Sequence, residues 1–189
     1  DDGKIFSCSS NLDCLEKNPN STCAADKDKL RRDTRRITEL ASLEASFESY
    51  KAMSGGVPTL ASGSYLRSLS TSLWPSWKIE LGGALGQVLP VDPVNKFADC
   101  GTGYDSATCF DATGLQFICP ADSLIYQYRS LGAGDYELLA SLEYPNYWTP
   151  ESLPASVSWN QGCANNVFSN NNLCGDSVRG PEEECELGD

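Results

Sequence analysis

The chain has 189 residues, with 26 acidic and 14 basic side chains, no histidine and a formal charge of −12. That balance excludes a nucleic-acid binder, which needs a net positive face, and the missing histidine excludes Ser-His-Asp and Cys-His catalysis. Hydrophobic residues make up 40% of the chain, enough to build one good-sized domain with small appendages.

Residues 1–25 are polar and carry Cys8, Cys14 and Cys23 at short intervals, the pattern of a small disulfide-stapled leader. Asn20-Ser21-Thr22 is a formal glycosylation sequon, a tripeptide that chance supplies often. From Asp33 the apolar residues Ile37, Leu40, Leu43, Phe47 and Tyr50 recur every three or four positions, with Thr38, Ser42, Ser46 and Ser49 opposite. This is one stripe of an amphipathic helix. Gly55-Gly56 followed by Pro58 ends it, and Asp26 or Asp28 favours the N-terminal end of its dipole. The expected span is about 28–53, in a domain covering 26–144.

Residues 59–90 are rich in Ser, Gly and Leu. One or two short helices are expected there, with Trp74 and Trp77 packed onto the core rather than presented to a ligand. Beyond "LPVDPVNKF" the texture changes to short runs of β-branched and aromatic residues: "GLQFIC", "LIYQYRSL" and "DYELLASLEY". "LGAGD" joins the last two as a hairpin turn. A long helix followed by an antiparallel sheet built from 115–144 makes the expected class α+β. Residues 145–173, rich in Pro, Asn and Ser, are expected as a linker or a loop over the core, pinned by Trp148 and Trp159. Residues 174–189 form a compact acidic end.

The nine cysteines are Cys8, Cys14, Cys23, Cys100, Cys109, Cys119, Cys163, Cys174 and Cys185. No C-x2-4-C knuckle or histidine is available for zinc, so disulfides account for them better, and disulfides imply an oxidising, extracellular compartment. One local pair is expected among Cys100, Cys109 and Cys119, a second among Cys8, Cys14 and Cys23, and a third between Cys174 and Cys185. This stretch has no apolar run long enough to span a membrane and no signal peptide, so the export signal is expected upstream of residue 1.

Residues 33–144 resemble the globular domains of type IV pilin-like and type II secretion pseudopilin-like proteins. The matching motifs are "DTRRITELASLEASFESY", the Gly-Gly-x-Pro stop, "LPVDP-x-N" at 89–95 and "YELLASLE". The cysteine-bearing "CGTGYDSATCFDATGLQFICPADSLIYQYRS" resembles a variant of those domains found in uncultured bacterial lineages. Residues 174–189, "CGDSVRGPEEECELGD", are similar to the start of an extracellular cysteine repeat, departing from it at Ser177 and Glu182. The pilin resemblance implies a long helix packed along an antiparallel sheet and a structural, non-enzymatic role. In that family an apolar N-terminal helix runs unbroken into the amphipathic one. Here Cys23 and the charged run from Asp26 to Arg32 stand in its place, which implies a pilin-like domain reused as a module of a larger exported protein.

Two candidate sites follow. The resemblance also implies calcium in a loop near the sheet, and clustered oxygen ligands of that kind are offered by Asp92, Asn95 and Asp99, then by Asp105 and Asp111, and by Asp176 with Glu182, Glu183 and Glu184. Capping of turns by the same residues needs no metal. For a protein partner, the candidates are the basic helix start (Lys29, Arg31, Arg32, Arg35, Arg36) and the acidic end (Glu182, Glu183, Glu184). These complementary charges would join copies, or neighbouring domains, head to tail. The expected function is a structural module of a bacterial surface protein or filament. The alternatives are an adhesin domain that binds glycans or surfaces through Trp148 and Trp159, and a minor pseudopilin of a secretion system.

Overall fold

A computed structural model of the chain describes residues 25–60, 65–132, 134–149, 153–155, 157–160 and 163–169. Helix α1 runs Ala25–Ser54, three residues earlier than expected at its start and one later at its end. It stops at Gly55, whose φ of +76° suits a residue without Cβ. The Gly55 amide donates to the Lys51 carbonyl at 2.9 Å, the single bond of an αL cap. On the solvent side, the hydroxyls of Thr34, Thr38, Ser46 and Ser49 donate to carbonyls one turn back.

Strand β1, Leu69–Thr71, comes next. A π-helical turn, Trp77–Leu81, then leads into the short helix α2, Gly82–Leu85. Both expected tryptophans are buried here. Trp74 donates its indole N–H to the Thr108 carbonyl at 3.0 Å, and Trp77 to Pro90 at 2.9 Å, so each ring buries its area without orphaning its polar atom.

The remaining strands are β2 (Phe110–Asp111), β3 (Gln116–Cys119), β4 (Gln127–Gly132), β5 (Asp135–Ala140), β6 (Val157–Trp159) and β7 (Asn166–Ser169). They form two sheets, one in the order β1-β4-β5-β6 and the other β2-β3-β7. β4 and β5 make the expected antiparallel hairpin, with a register shift between Ser130 and Gly132. Gly132 and Gly134 adopt positive φ in its turn.

The class is α+β, as expected, but a sheet confined to 115–144 is not what forms. β3 pairs with β2 and β7 in the second sheet. The sheet beneath α1 instead recruits β1 from before this region and β6 from after it, the latter running parallel to β5. The segment expected as a linker therefore supplies an edge strand to each sheet. Its Asn, Ser and Pro residues occupy turns and edges, where weak strand propensity costs little.

The core falls into two clusters, one beneath α1 and the other around the β2-β3-β7 sheet. Leu40, Leu43 and Phe47 of α1 pack with Leu60, Trp77, Leu81, Tyr126, Tyr128, Leu138 and Val157 in the first. Trp74, Phe97, Phe110, Phe117 and Ile125 gather around Cys100, Cys109 and Cys119 in the second. Ile37, expected on the buried stripe, is only half-buried; the inward position in that turn belongs to Arg36.

Cys100 and Cys109 form the expected local disulfide, with Cα atoms 5.4 Å apart. Cys119 bonds to Cys163 across 44 residues, at 4.7 Å between Cα atoms, and ties β3 to the connection between β6 and β7. The pairs expected among Cys8, Cys14 and Cys23, and between Cys174 and Cys185, lie outside the described residues. Replacing Cys119 and Cys163 together by Ser is expected to lower stability by about 2–4 kcal/mol, and replacing Cys100 with Cys109 by less, because a longer closed loop loses more entropy when cross-linked. Denaturant midpoints of the oxidised parent and the two double variants check the order. Equal midpoints in all three would contradict it.

Candidate functional site

The inward positions of α1 are 33, 36, 40, 43 and 47, spaced three and four apart. The last three are apolar, whereas Asp33 and Arg36 are charged and 0% exposed. A guanidinium taken out of water is tolerable only with its donors paired, and here they are. Arg36 Nε and Nη2 donate to the two carboxylate oxygens of Asp92 at 2.6 and 2.9 Å. Its Nη1 donates to Asp33 Oδ1 at 2.7 Å and to Glu143 Oε2 at 2.8 Å. Arg32 adds a bidentate pair to Glu143, at 2.6 and 2.7 Å, the fork geometry that only arginine offers.

The carboxylates are held in turn by backbone. Asp33 accepts the amides of Glu143 and Tyr144, at 3.0 and 2.9 Å. Asp92 accepts those of Val94 and Asn95, at 2.8 and 3.2 Å. Five side chains thus clasp three parts of the chain: the first half of α1, the "LPVDP" loop and the segment leaving β5.

Burial alone would lower the affinity of Arg36 for its proton. The hydrogen bonds and charge of Asp92, with the bonds from Glu143 and Asp33, outweigh burial and hold the guanidinium above its ordinary value. For Glu143, burial alone would raise the carboxyl, but Arg32 and Arg36 together keep it below the usual carboxylate range. Next to the clasp, Glu39 accepts the Tyr126 hydroxyl at 2.6 Å and Arg35 Nε at 2.7 Å. Burial first, and Glu39 second, push the Tyr126 hydroxyl well above its ordinary value.

The candidate calcium ligands do not converge. Asp92 faces Arg36. The Asn95 amide oxygen accepts the Ser72 hydroxyl at 2.7 Å, and Asp99 accepts the Gly101 amide at 3.0 Å. Asp105 accepts the Thr108 hydroxyl and the amides of Ala107 and Thr108; the Thr108 hydroxyl, followed by those amides, lowers its proton affinity. Asp111 accepts the Thr113 amide. These are turn caps, and no group of three acidic or cysteine side chains among the described residues could hold a metal. Asp176 and Glu182 to Glu184 lie outside the described residues.

The basic partner candidates divide into two sets. Arg36 and Arg32 turn inward and are neutralised within the chain, which removes fully buried Arg36 from any contact surface. Arg31 and Arg35 remain outward, 63% and 58% exposed, beside Asp28 and Glu39 on the same helix. Lys29 borders a cleft of about 540 Å³ together with Asp122, Leu142, Glu143, Asn160 and Cys163. The helix start therefore lies beside Glu143 of its own chain, and part of its positive charge is paired there and with Asp33 and Asp92; Glu182, Glu183 and Glu184 lie outside the described residues.

Of the aromatic candidates, Trp159 packs against the first core cluster and donates to the Pro154 carbonyl at 3.4 Å. Trp148 is half-buried and stands edge-on to Tyr147, with ring centroids 5.2 Å apart. The exposed rings here are Tyr144 and Tyr147, which the sequence reasoning did not single out. It also missed the clasp, although stepping back from Leu40 by four and then three lands on Arg36 and Asp33, an oppositely charged pair on the face that otherwise buries.

No family model matches the chain, and no curated protein and no solved structure is similar to it at a significant level. No helix among the described residues is long and apolar enough to cross a membrane.

Proposed function

We propose that this chain is a non-enzymatic structural module of an exported bacterial surface protein or filament, joined to further copies or domains head to tail. The observation that carries this reading is the cross-bracing of one long helix. Its second half is held on the sheet by an apolar face, its first half is held by a buried ionic clasp, and two disulfides secure the second sheet. The convergent charged groups satisfy one another, as suits a part that bears load rather than one that turns over a substrate. The helix-on-sheet arrangement also agrees with what the resemblance to pilin-like domains implies, which keeps the pseudopilin reading as a variant of the same proposal.

The exposed side of the helix start offers a direction for assembly. Lys27, Arg31 and Arg35 recur every four residues on the exposed side, and the acidic residues 182–184 are their complement. Isolated surface pairs contribute only about 0–1 kcal/mol each, and they act more on association rate than on affinity. Light scattering and electron microscopy of the full chain are expected to show concentration-dependent oligomers that disperse with added salt. Charge reversal at Lys27, Arg31 and Arg35 together is expected to weaken them roughly ten-fold. A monodisperse monomer at every concentration would overturn the proposal. The adhesin reading would then lead, supported by Tyr147 at 59% and Tyr144 at 38% exposure beside Trp148, and binding of neutral oligosaccharides would test it.

A further inference from the structure

The two halves of α1 are attached by different physics. Leu40, Leu43 and Phe47 anchor the second half in the apolar core, and no residue of the helix before Leu40 belongs to that cluster. Arg32, Asp33 and Arg36 anchor the first half through Glu143 and Asp92. Glu143 is shared by both guanidiniums, and its own amide donates to Asp33, so it closes the clasp from the side of β5.

We propose that the clasp is an acid-opened hinge: protonation of Glu143 releases the first half of α1, up to Arg36, while the second half stays on the sheet. The added proton sits on a carboxylate oxygen that otherwise accepts from Arg32 or Arg36. It takes from Arg32 the charge of the carboxylate onto which that guanidinium forks, and weakens one of the two acceptors of Arg36 Nη1. Release returns Arg32, Asp33 and Arg36 to water together. The contacts of Phe47 with Tyr128 and Tyr136 carry no such proton dependence.

The groups facing Glu143 set the range. Arg32, Asp33, Arg36 and Lys29 approach from α1, Asp92 faces it across Arg36, and Asp122 borders the shared cleft. Because Arg32 and Arg36 overcome burial and hold Glu143 below the ordinary range, its contribution is full above its unfolded value of about 4.3. It is lost as the pH falls through the lower, folded value. Opening is therefore an acid event, and the clasp is closed at neutral pH.

The test is hydrogen exchange of the full oxidised chain from pH 7 to pH 3, corrected for the pH dependence of intrinsic exchange. Amides of residues 27–36 are expected to lose protection ten-fold or more below about pH 4, while those of 40–50 keep theirs. Glu143→Gln removes the titrating group, so residues 27–36 should already exchange faster at pH 7, with a much smaller acid step. Unchanged protection of 27–36 at pH 3 would overturn the hinge. So would loss of both halves in a single transition, or a Glu143→Gln variant that retains the parent's acid step. The parent alone decides the first two outcomes, whether or not the variant folds.

Discussion

Phe47→Ala is expected to destabilise the protein by roughly 3–5 kcal/mol, the range for truncating a fully buried aromatic side chain. Phe47 is 0% exposed and lies between two tyrosine rings, 5.0 Å from Tyr128 and 4.9 Å from Tyr136, stacked on both. Alanine removes the ring's transfer free energy, forfeits both stacking contacts and leaves a cavity in a region that cannot readily collapse. Tyr128 is held by its hydroxyl on the Pro58 carbonyl, at 2.9 Å, and Tyr136 by Glu48, also at 2.9 Å. For a chain of this size the melting temperature should fall on the order of 10 °C. Phe47→Leu, which refills part of the volume, should lose less than half as much. A melting temperature for Phe47→Ala within a degree or two of the parent's would contradict this packing of α1.

Arg36→Ala is expected to cost a comparable 3–5 kcal/mol at neutral pH, by a different mechanism. It deletes the guanidinium that joins Asp33, Asp92 and Glu143 and leaves carboxylates buried without their partner. The parent should lose stability on acidification, because Glu143 is held below the ordinary range and its contribution disappears as the pH falls through that value. In Arg36→Ala the slope on acidification from neutral pH should reverse, since protons now neutralise crowded carboxylates that lack a cation. Combining Arg36→Met with Asp33→Asn and Asp92→Asn removes the charges together, and should recover much of the loss, as apolar or neutral replacements of buried ion clusters do. Denaturant titrations of the three proteins from neutral pH downward supply the comparison. Parallel pH profiles for parent and Arg36→Ala would show that the cluster contributes nothing to the fold.

Features that depend on a few neighbouring residues were readable from the chain. The 3-4 spacing of Leu40, Leu43 and Phe47, the Gly55 stop, the hairpin between β4 and β5 and the presence of one local pair among Cys100, Cys109 and Cys119 all depend on groups within about ten positions. There, backbone geometry and side-chain period leave few alternatives. Burial of Trp74 and Trp77 was readable for a related reason: two large rings in a Leu-rich, Gly-rich segment have little use except to fill a core.

The amino-acid sequence by itself determined that the chain is acidic, lacks histidine, is disulfide-bonded, and has one long amphipathic helix preceding its longer strands. Local propensity, periodicity and composition suffice for each of these. The tertiary structure alone decided which face of the first half of α1 turns inward, because a charged residue is buried only where partners from elsewhere pay its desolvation, and Asp92 and Glu143 lie 56 and 107 residues from Arg36. It also divided the strands between two sheets, paired Cys119 with Cys163, and drew β6 and β7 out of a segment with the composition of a linker. Each of those outcomes balances loop-closure entropy against contacts between distant segments, a balance that no window of neighbouring residues contains.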